Sequence, residues 1–247
     1  MISHPHSCIF VHIPKTAGQS VESVFLDLQG LSWEERRPLL LYRNDDPAKG
    51  PSAIAHLLAR EYVALGHIAQ PEYIRYFKFA FVRNPWARLV SEFEYRGENR
   101  RMGLEAFFED RLARLDSYSD RSRHIIPQTD YVTDGNGQYI VDFIGRFETL
   151  AQDFATVARH LNLPSEELPH RNKAGEALEA GLLDRLLGRG AAPAAKRPWR
   201  EYYTSALRDR VGDYYAEDIA RFGYSFDGAP SAAPIISTPI SEPARQS

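Results

Sequence analysis

The residues able to do chemistry gather at two strand-to-helix junctions. The first is Cys8 to Ser20, C-I-F-V-H-I-P-K-T-A-G-Q-S. An apolar strand runs into a short Pro-Lys-Thr-Ala-Gly turn, and an amphipathic helix follows from near Gln19. Gly18 lets the backbone come close to a ligand, the first N–H groups of the helix have no intrahelical partner, and Lys15 adds a mobile positive charge beside them. This combination predicts an anion cradle. The common nucleotide-loop pattern, Gly, four residues, then Gly-Lys-Ser/Thr, is absent because Lys15 precedes Gly18, which disfavours a standard ATPase.

The second junction joins the apolar run Phe77 to Val82 to R-N-P-W-A-R-L-V-S, Arg83 to Ser91. Pro85 suits a first helical turn, where its missing N–H costs nothing, and Leu89, Val90 and Phe93 give that helix an apolar stripe. Arg83 falls at the carboxyl end of the strand, and Ser91 two helical turns further on. Ligands of open parallel sheets bind beyond the carboxyl ends of the strands, so both junctions are expected to face one ligand. Two phosphate sites imply a bisphosphorylated nucleotide.

These residues resemble the sulfotransferases that use 3′-phosphoadenosine 5′-phosphosulfate, in particular the carbohydrate (heparan- and chondroitin-type) branch. F-V-H-I-P-K-T-A-G-Q-S at Phe10 to Ser20 looks like that family's 5′-phosphosulfate loop, and F-V-R-N-P-W-A-R-L-V-S at Phe81 to Ser91 like its 3′-phosphate element. The resemblance assigns Lys15, Thr16, Ala17, Gly18, Gln19 and Ser20 to the phosphosulfate, and Arg83 and Ser91 to the 3′-phosphate. Gln19 stands where Thr or Ser is usual, which affects one side-chain contact but not the backbone cradle. Weaker similarity continues through His124 to Gln128, Val141 to Glu148 and Tyr214 to Tyr224, so it covers roughly residues 8 to 226. It implies an α/β fold of the P-loop NTPase-like kind, with a central parallel sheet flanked by helices. The implied donor is 3′-phosphoadenosine 5′-phosphosulfate, and no metal is required.

Sulfuryl transfer needs a base for the acceptor hydroxyl, positive charge on the leaving phosphate and in-line alignment. Lys15 is placed to stabilise the oxygen that bridges phosphorus and sulfur. A base with a pKa near neutrality points to one of eight histidines. His67 is the first choice: it follows a predicted strand at Tyr62 to Gly66, and the Gly66-His67 pair resembles the position of the base in the carbohydrate branch. His12, just before the cradle, is the alternative base, or a core or supporting hydrogen-bonding residue. His124, with Gln128, is expected to grip the acceptor or to be a satisfied loop histidine. The H-P-H fragment at His4 and His6 is too short and terminal for a metal site. Lys196, Arg197 and Arg200, beside Trp199 and Tyr202, are expected either to close over the nucleotide or to form a solvated linker. Glu148 reads as an N-terminal helix residue or structural partner.

The elements that must position these groups follow from periodicity. Strands are predicted at Ile9–Ile13, Tyr62–Gly66, Phe77–Val82 and Phe143–Phe147. Helices are predicted at Ala53–Arg60, Pro85–Arg96, Leu104–Leu115, Leu150–Leu161, Ala177–Leu187 and Ser205–Phe222. The order is that of parallel α/β units. Gly188 to Pro198 has the composition of a mobile loop. Residues 1–227 read as a single domain, and 228–247 as a disordered Pro/Ser/Ala-rich tail.

Composition sets the outer bounds. The chain of 247 residues, 43% hydrophobic and 26% charged, can bury one substantial core, and its net charge of −3 argues against bulk nucleic-acid binding. The single cysteine, Cys8, allows no internal disulfide and reads as a buried thiol. The opening M-I-S-H-P-H-S lacks a secretory pattern and no apolar run is long enough to cross a bilayer; since enzymes of the resembled family in the eukaryotic Golgi usually carry a membrane anchor, the resemblance implies a cytoplasmic, bacterial protein. The acceptor is expected to be a hydroxyl of a carbohydrate or glycolipid. The rival readings are a nucleotide-dependent kinase on a related phosphate-loop fold and a non-catalytic binder of sulfated or phosphorylated glycans.

Overall fold

The computed structural model describes residues 1–169, 197–228 and 235. Its centre is a four-stranded sheet in the order β1 (Ile2–Ser3), β2 (Cys8–Val11), β3 (Phe77–Val82), β4 (Phe143–Arg146). β2, β3 and β4 run parallel, with Phe10 opposite Phe79 and Phe79 opposite Phe143. β1 departs from the all-parallel expectation by closing the edge as an antiparallel hairpin arm, with Ile2 opposite Ile9. The longer helices are α1 (Gly18–Leu28), α2 (Pro85–Tyr95), α3 (Leu104–Ala113), α4 (Leu150–His160), α5 (Ser205–Tyr214) and α6 (Ala216–Phe222). The class is α/β, a mixed central sheet flanked by helices.

Alternation along the strands sorts side chains to the two faces of the sheet. Phe10, Phe77, Phe79, Phe81 and Phe143 pack against Val21 and Phe25 of α1 and Phe154 and Val157 of α4. Ile9, Val11, Ala80, Val82 and Ile144 face Leu57, Tyr62, Tyr131 and Phe222. With both faces covered, the parallel strands are apolar except at Lys78, Gly145 and Arg146. A third cluster joins Leu89, Val90 and Phe93 of α2 to Phe107 and Phe108 of α3 and Leu207 and Val211 of α5. It holds α2, and so the second junction, at a fixed angle to the sheet.

Several predicted elements take another form. Tyr62 to Gly66 is not a strand: Glu61–Ala64 is a single helical turn, and Gly66 turns the chain away at φ +74°. Too short an apolar run does not distinguish helix from strand, and here tertiary partners decide. Tyr62 is buried under the sheet with its hydroxyl on the Phe10 carbonyl at 3.2 Å, and the Glu61 carboxylate accepts the Leu58 N–H at 2.8 Å and a guanidinium nitrogen of Arg123 at 2.7 Å. Ala53 to Arg60 contains only the 3₁₀ turn Ile54–His56, because Ala53 is extended and bridges Arg43. Ser205 to Phe222 breaks at Tyr215 into α5 and α6.

The predicted helix Ala177–Leu187 and most of the predicted loop 188–198 lie outside the described residues. In the tail, Ile235 forms an antiparallel bridge with Ile144, each N–H donating to the other's carbonyl at 2.8 Å. Among the described residues no helix is long and apolar enough to cross a membrane.

Candidate active site

β2 ends at Val11, and His12 to Ala17 carry the chain into α1. Lys15 and Ala17 both take left-handed backbone conformations, φ +72° and +70°, on either side of Thr16. A non-glycine residue held there costs on the order of 1 kcal/mol or more, and such strain gathers at ligand sites. Twisted backbone of this kind turns successive N–H groups to one side, as anion-binding concavities do. α1 adds its own free N–H groups: no side chain caps it and no acidic residue stands in its first turn. Gly18 has a steric reason to be glycine, since a Cβ there would lie 1.9 Å from Nε2 of His12.

The second junction is built by capping. Asn84 Oδ1 accepts the Ala87 N–H at 3.3 Å, its Nδ2 donates to the Ser225 carbonyl at 3.0 Å, and Pro85 opens α2. Glu148 accepts the Asn84 N–H at 2.8 Å and the Tyr224 hydroxyl at 2.9 Å, a structural role. Arg83 lies over the Phe147 ring at 4.1 Å, and burial lowers its pKa. Its Nη1 donates to the Lys15 carbonyl at 3.1 Å. The two junctions are therefore in direct contact. Lys15 Nζ sits 3.6 Å over the ring of Tyr95 at the end of α2, and Ser91, half-buried, is one helical turn earlier on the same face.

Three histidines line or close this region in an edge-to-face row, His12 against His56 and His56 against His124, each pair with ring centroids 4.9 Å apart. Each presents Nδ1 to a carboxylate: His12 to Glu22 at 2.6 Å, His56 to Asp120 at 2.7 Å and His124 to Glu92 at 2.6 Å. Burial alone would raise the three carboxyls, but the imidazoles hold all of them below their ordinary values, Asp120 most strongly. An ionised carboxylate only accepts, so each ring turns an Nδ1–H toward its carboxylate. Burial lowers His56 to about 4, the Asp120 hydrogen bond opposing and the neighbouring imidazoles of His124 and His12 reinforcing the shift. It is therefore neutral at pH 7. Arg96 ties the network together, with Nε on Glu92 at 2.6 Å and Nη2 on Asp120 at 3.1 Å.

A cavity of about 1060 Å³ opens over these groups. Lys15, Ala17, Gly18, Gln19, Ser20, His12, His56, His124, Asp120 and Tyr95 line it, whereas Arg83 and Ser91 do not. Trp33, Arg36, Tyr42 and Arg43 line it as well. Arg36 lies 4.7 Å over the Trp33 ring.

Other predicted site residues stand elsewhere. His67 is absent from the cavity; its Nε2 meets the Lys49 carbonyl at 2.7 Å, because the segment before it is a helical turn rather than a strand aimed at the ligand. Thr16 is buried, its hydroxyl donating to the Ile13 carbonyl at 2.8 Å, which leaves only its backbone for an anion. Gln128 is fully buried and cannot grip an acceptor. It accepts the Arg83 N–H at 2.9 Å, returns a bond to the Arg83 carbonyl at 2.8 Å, and is fixed by Asp218. Arg197 and Arg200 are exposed, stacked on Tyr202 and Trp199 and outside the cavity, while Lys196 lies outside the described residues. The turn that carries them packs on α2, with the Tyr202 hydroxyl on Glu94 at 3.0 Å. His56 and Asp120 were not among the predicted residues. The one available signal was the i, i+4 pair Asp120–His124.

Parallel strands ending in two strand-to-helix junctions joined by the Arg83–Lys15 hydrogen bond, with a histidine-lined cavity beside the first, define an α/β protein with one candidate ligand site. The sequence model of the Sulfotransferase family matches residues 1–225, and the chain belongs to that family. It is 24% identical over 268 aligned positions to carbohydrate sulfotransferase 12 of Xenopus laevis, an alignment covering 91% of this chain and 59% of that protein. It is also 32% identical over 98 positions to an uncharacterized protein of Archaeoglobus fulgidus, covering 37% of this chain and 72% of the other. No solved structure matches.

Proposed function

We propose that this chain transfers a sulfuryl group from 3′-phosphoadenosine 5′-phosphosulfate to a hydroxyl of a carbohydrate or glycoconjugate. The observation that carries the reading is the contact between the two anion elements through Arg83 and the Lys15 carbonyl. A donor phosphorylated at both ends of one nucleoside needs both elements in one site. The first-turn N–H groups of α1 and Lys15 hold the phosphosulfate, and Arg83 with Ser91 holds the 3′-phosphate.

His56, rather than His67, is the base in this reading. Its Nδ1–H is held by Asp120, its Nε2 is unprotonated at neutral pH, and it lines the cavity. His56 Nε2 takes the proton of the acceptor hydroxyl as that oxygen bonds to sulfur. The bond from sulfur to the 5′-phosphate oxygen breaks with its electron pair on that oxygen, which Lys15 stabilises. His12, stacked over Gly18, sits at the donor end of the histidine row. Trp33, Arg36, Tyr42 and Arg43 form an aromatic and cationic wall suited to a sugar ring bearing anionic groups, which supports the carbohydrate acceptor.

The test is transfer of radiolabelled sulfate from the donor onto a panel of glycans, glycolipids and small phenols, with ATP and magnesium as the competing donor. Labelled glycan supports the reading. Phosphoryl transfer from ATP, or binding of sulfated glycan without any turnover, overturns it.

A further inference from the structure

We infer that His56, Asp120 and His124 form a binding site for a divalent transition-metal ion of the zinc type, and that its occupancy silences the base. One ligating atom from each lies within 4.8 Å of the other two. The second observation is His124 itself. Its side chain is only 7% exposed, its Nε2 has no hydrogen-bond partner, and that nitrogen faces Asp120 Oδ1 at 3.5 Å. A buried polar nitrogen left unmatched is costly, and a metal ion would accept its lone pair.

The donor set of two imidazoles and one carboxylate suits Zn²⁺, Co²⁺ or Ni²⁺ and disfavours Mg²⁺ and Ca²⁺, which take oxygen ligands. It leaves a fourth position for water or substrate. The surroundings supply the outer support such ligands need. Glu92 accepts the Nδ1–H of His124 at 2.6 Å, Arg96 donates to Asp120 Oδ2 at 3.1 Å, and Asp120 Oδ1, which accepts the Nδ1–H of His56 at 2.7 Å, becomes free to ligate once that proton moves. The ionised pair Asp120 and Glu92 outweighs the one Arg96 cation between them.

His124 can ligate without moving a proton, because its Nδ1–H stays on Glu92. His56 cannot. Its Nδ1–H now points at Asp120, and ligation through Nδ1 requires the proton to move to Nε2. The nitrogen that accepts the substrate proton then becomes a donor. The inhibition rests on the base assigned above; the binding does not.

The full chain is titrated with Co²⁺, read by the visible absorption of a four-coordinate ion, and then with Zn²⁺ and Mg²⁺ as competitors. One equivalent of Co²⁺ is expected to bind, displaced by Zn²⁺ and not by Mg²⁺. His124→Ala and Asp120→Asn are expected to weaken binding about tenfold or more, and His67→Ala to leave it unchanged. The absence of a saturable band overturns the site, as does unchanged affinity in a His124→Ala protein with native circular dichroism. If that variant does not fold, Asp120→Asn decides on the same criterion. Zn²⁺ is also expected to stop sulfate transfer, reversibly on adding a chelator. Undiminished transfer by the saturated protein overturns the switch, whereas a protein that transfers nothing with or without metal counts against the proposed function and leaves the Co²⁺ reading intact.

Discussion

Arg83 donates from Nη1 to the carbonyl of Lys15 at 3.1 Å, so the guanidinium assigned to one phosphate also braces the turn assigned to the other. Gln128 fixes the backbone of Arg83 from behind through two hydrogen bonds. Losing the side chain therefore removes a charge contact and slackens the Lys15 turn. Arg83→Ala is expected to weaken binding of adenosine 3′,5′-bisphosphate by about 2 kcal/mol or more, roughly thirtyfold. Titration calorimetry measures this, and unchanged affinity would remove Arg83 from the site.

Gly18 and His12 supply a steric prediction. A methyl group at residue 18 would enter the His12 ring, 1.9 Å from Nε2. Alanine in a helix is otherwise favourable. Gly18→Ala is expected to lower unfolding stability by on the order of 1–3 kcal/mol through this overlap. The loss should largely disappear in a His12→Ala background. A double-mutant cycle in urea reads the coupling, and additive effects would show that the overlap is not its cause.

Much of this site was legible in the chain because its parts are local. The run Phe77 to Val82 followed by Arg-Asn-Pro is a strand, a cap and a helix start in consecutive residues, and the structure has β3 and α2 at those positions. The Lys15 to Gly18 turn is local in the same way. The histidine network is not. His56 sits in an apolar stretch, Ala-Ile-Ala-His-Leu-Leu, and acquires its meaning from a carboxylate 64 positions away. Nothing within a window around His56 distinguishes it from a core histidine. His67 rested on the resemblance of the Gly66-His67 pair and on Tyr62 to Gly66 being a strand, and four apolar residues cannot decide the second. The Gly-turn after Ala64 and the packing of Tyr62 beneath β2 decide it instead.

His56 and Asp120 make the proton-transfer prediction. His56→Ala is expected to reduce sulfate transfer by about 10²–10⁴-fold while leaving adenosine 3′,5′-bisphosphate affinity within about twofold. Asp120→Asn keeps the shape but no longer favours the Nδ1–H tautomer, and it should reduce turnover with little change in donor KM. His67→Ala, whose ring is committed to the Lys49 carbonyl, is expected to retain transfer. Loss of turnover in His67→Ala, with His56→Ala active, would reverse the assignment.

Cys8 governs an alkaline prediction. Its thiol is fully buried in β2 beside Phe10, and burial pushes it from an ordinary 9.0 up to about 12. The unfolded thiol ionises first, so the unfolded state loses a proton that the folded state keeps. Stability is then intact below about pH 9 and declines between 9 and 12, by up to about 1.4 kcal/mol per pH unit from this group. Buried Tyr131 and Tyr215, also raised by burial, add to the decline once the unfolded tyrosines ionise above 10.0. Urea midpoints measured from pH 7 to 11 should fall on the alkaline side. Cys8→Ala should start from lower stability, because it leaves a small cavity, but fall less steeply between pH 9 and 10. Equal slopes in the two proteins would mean that the thiol is not the group that titrates.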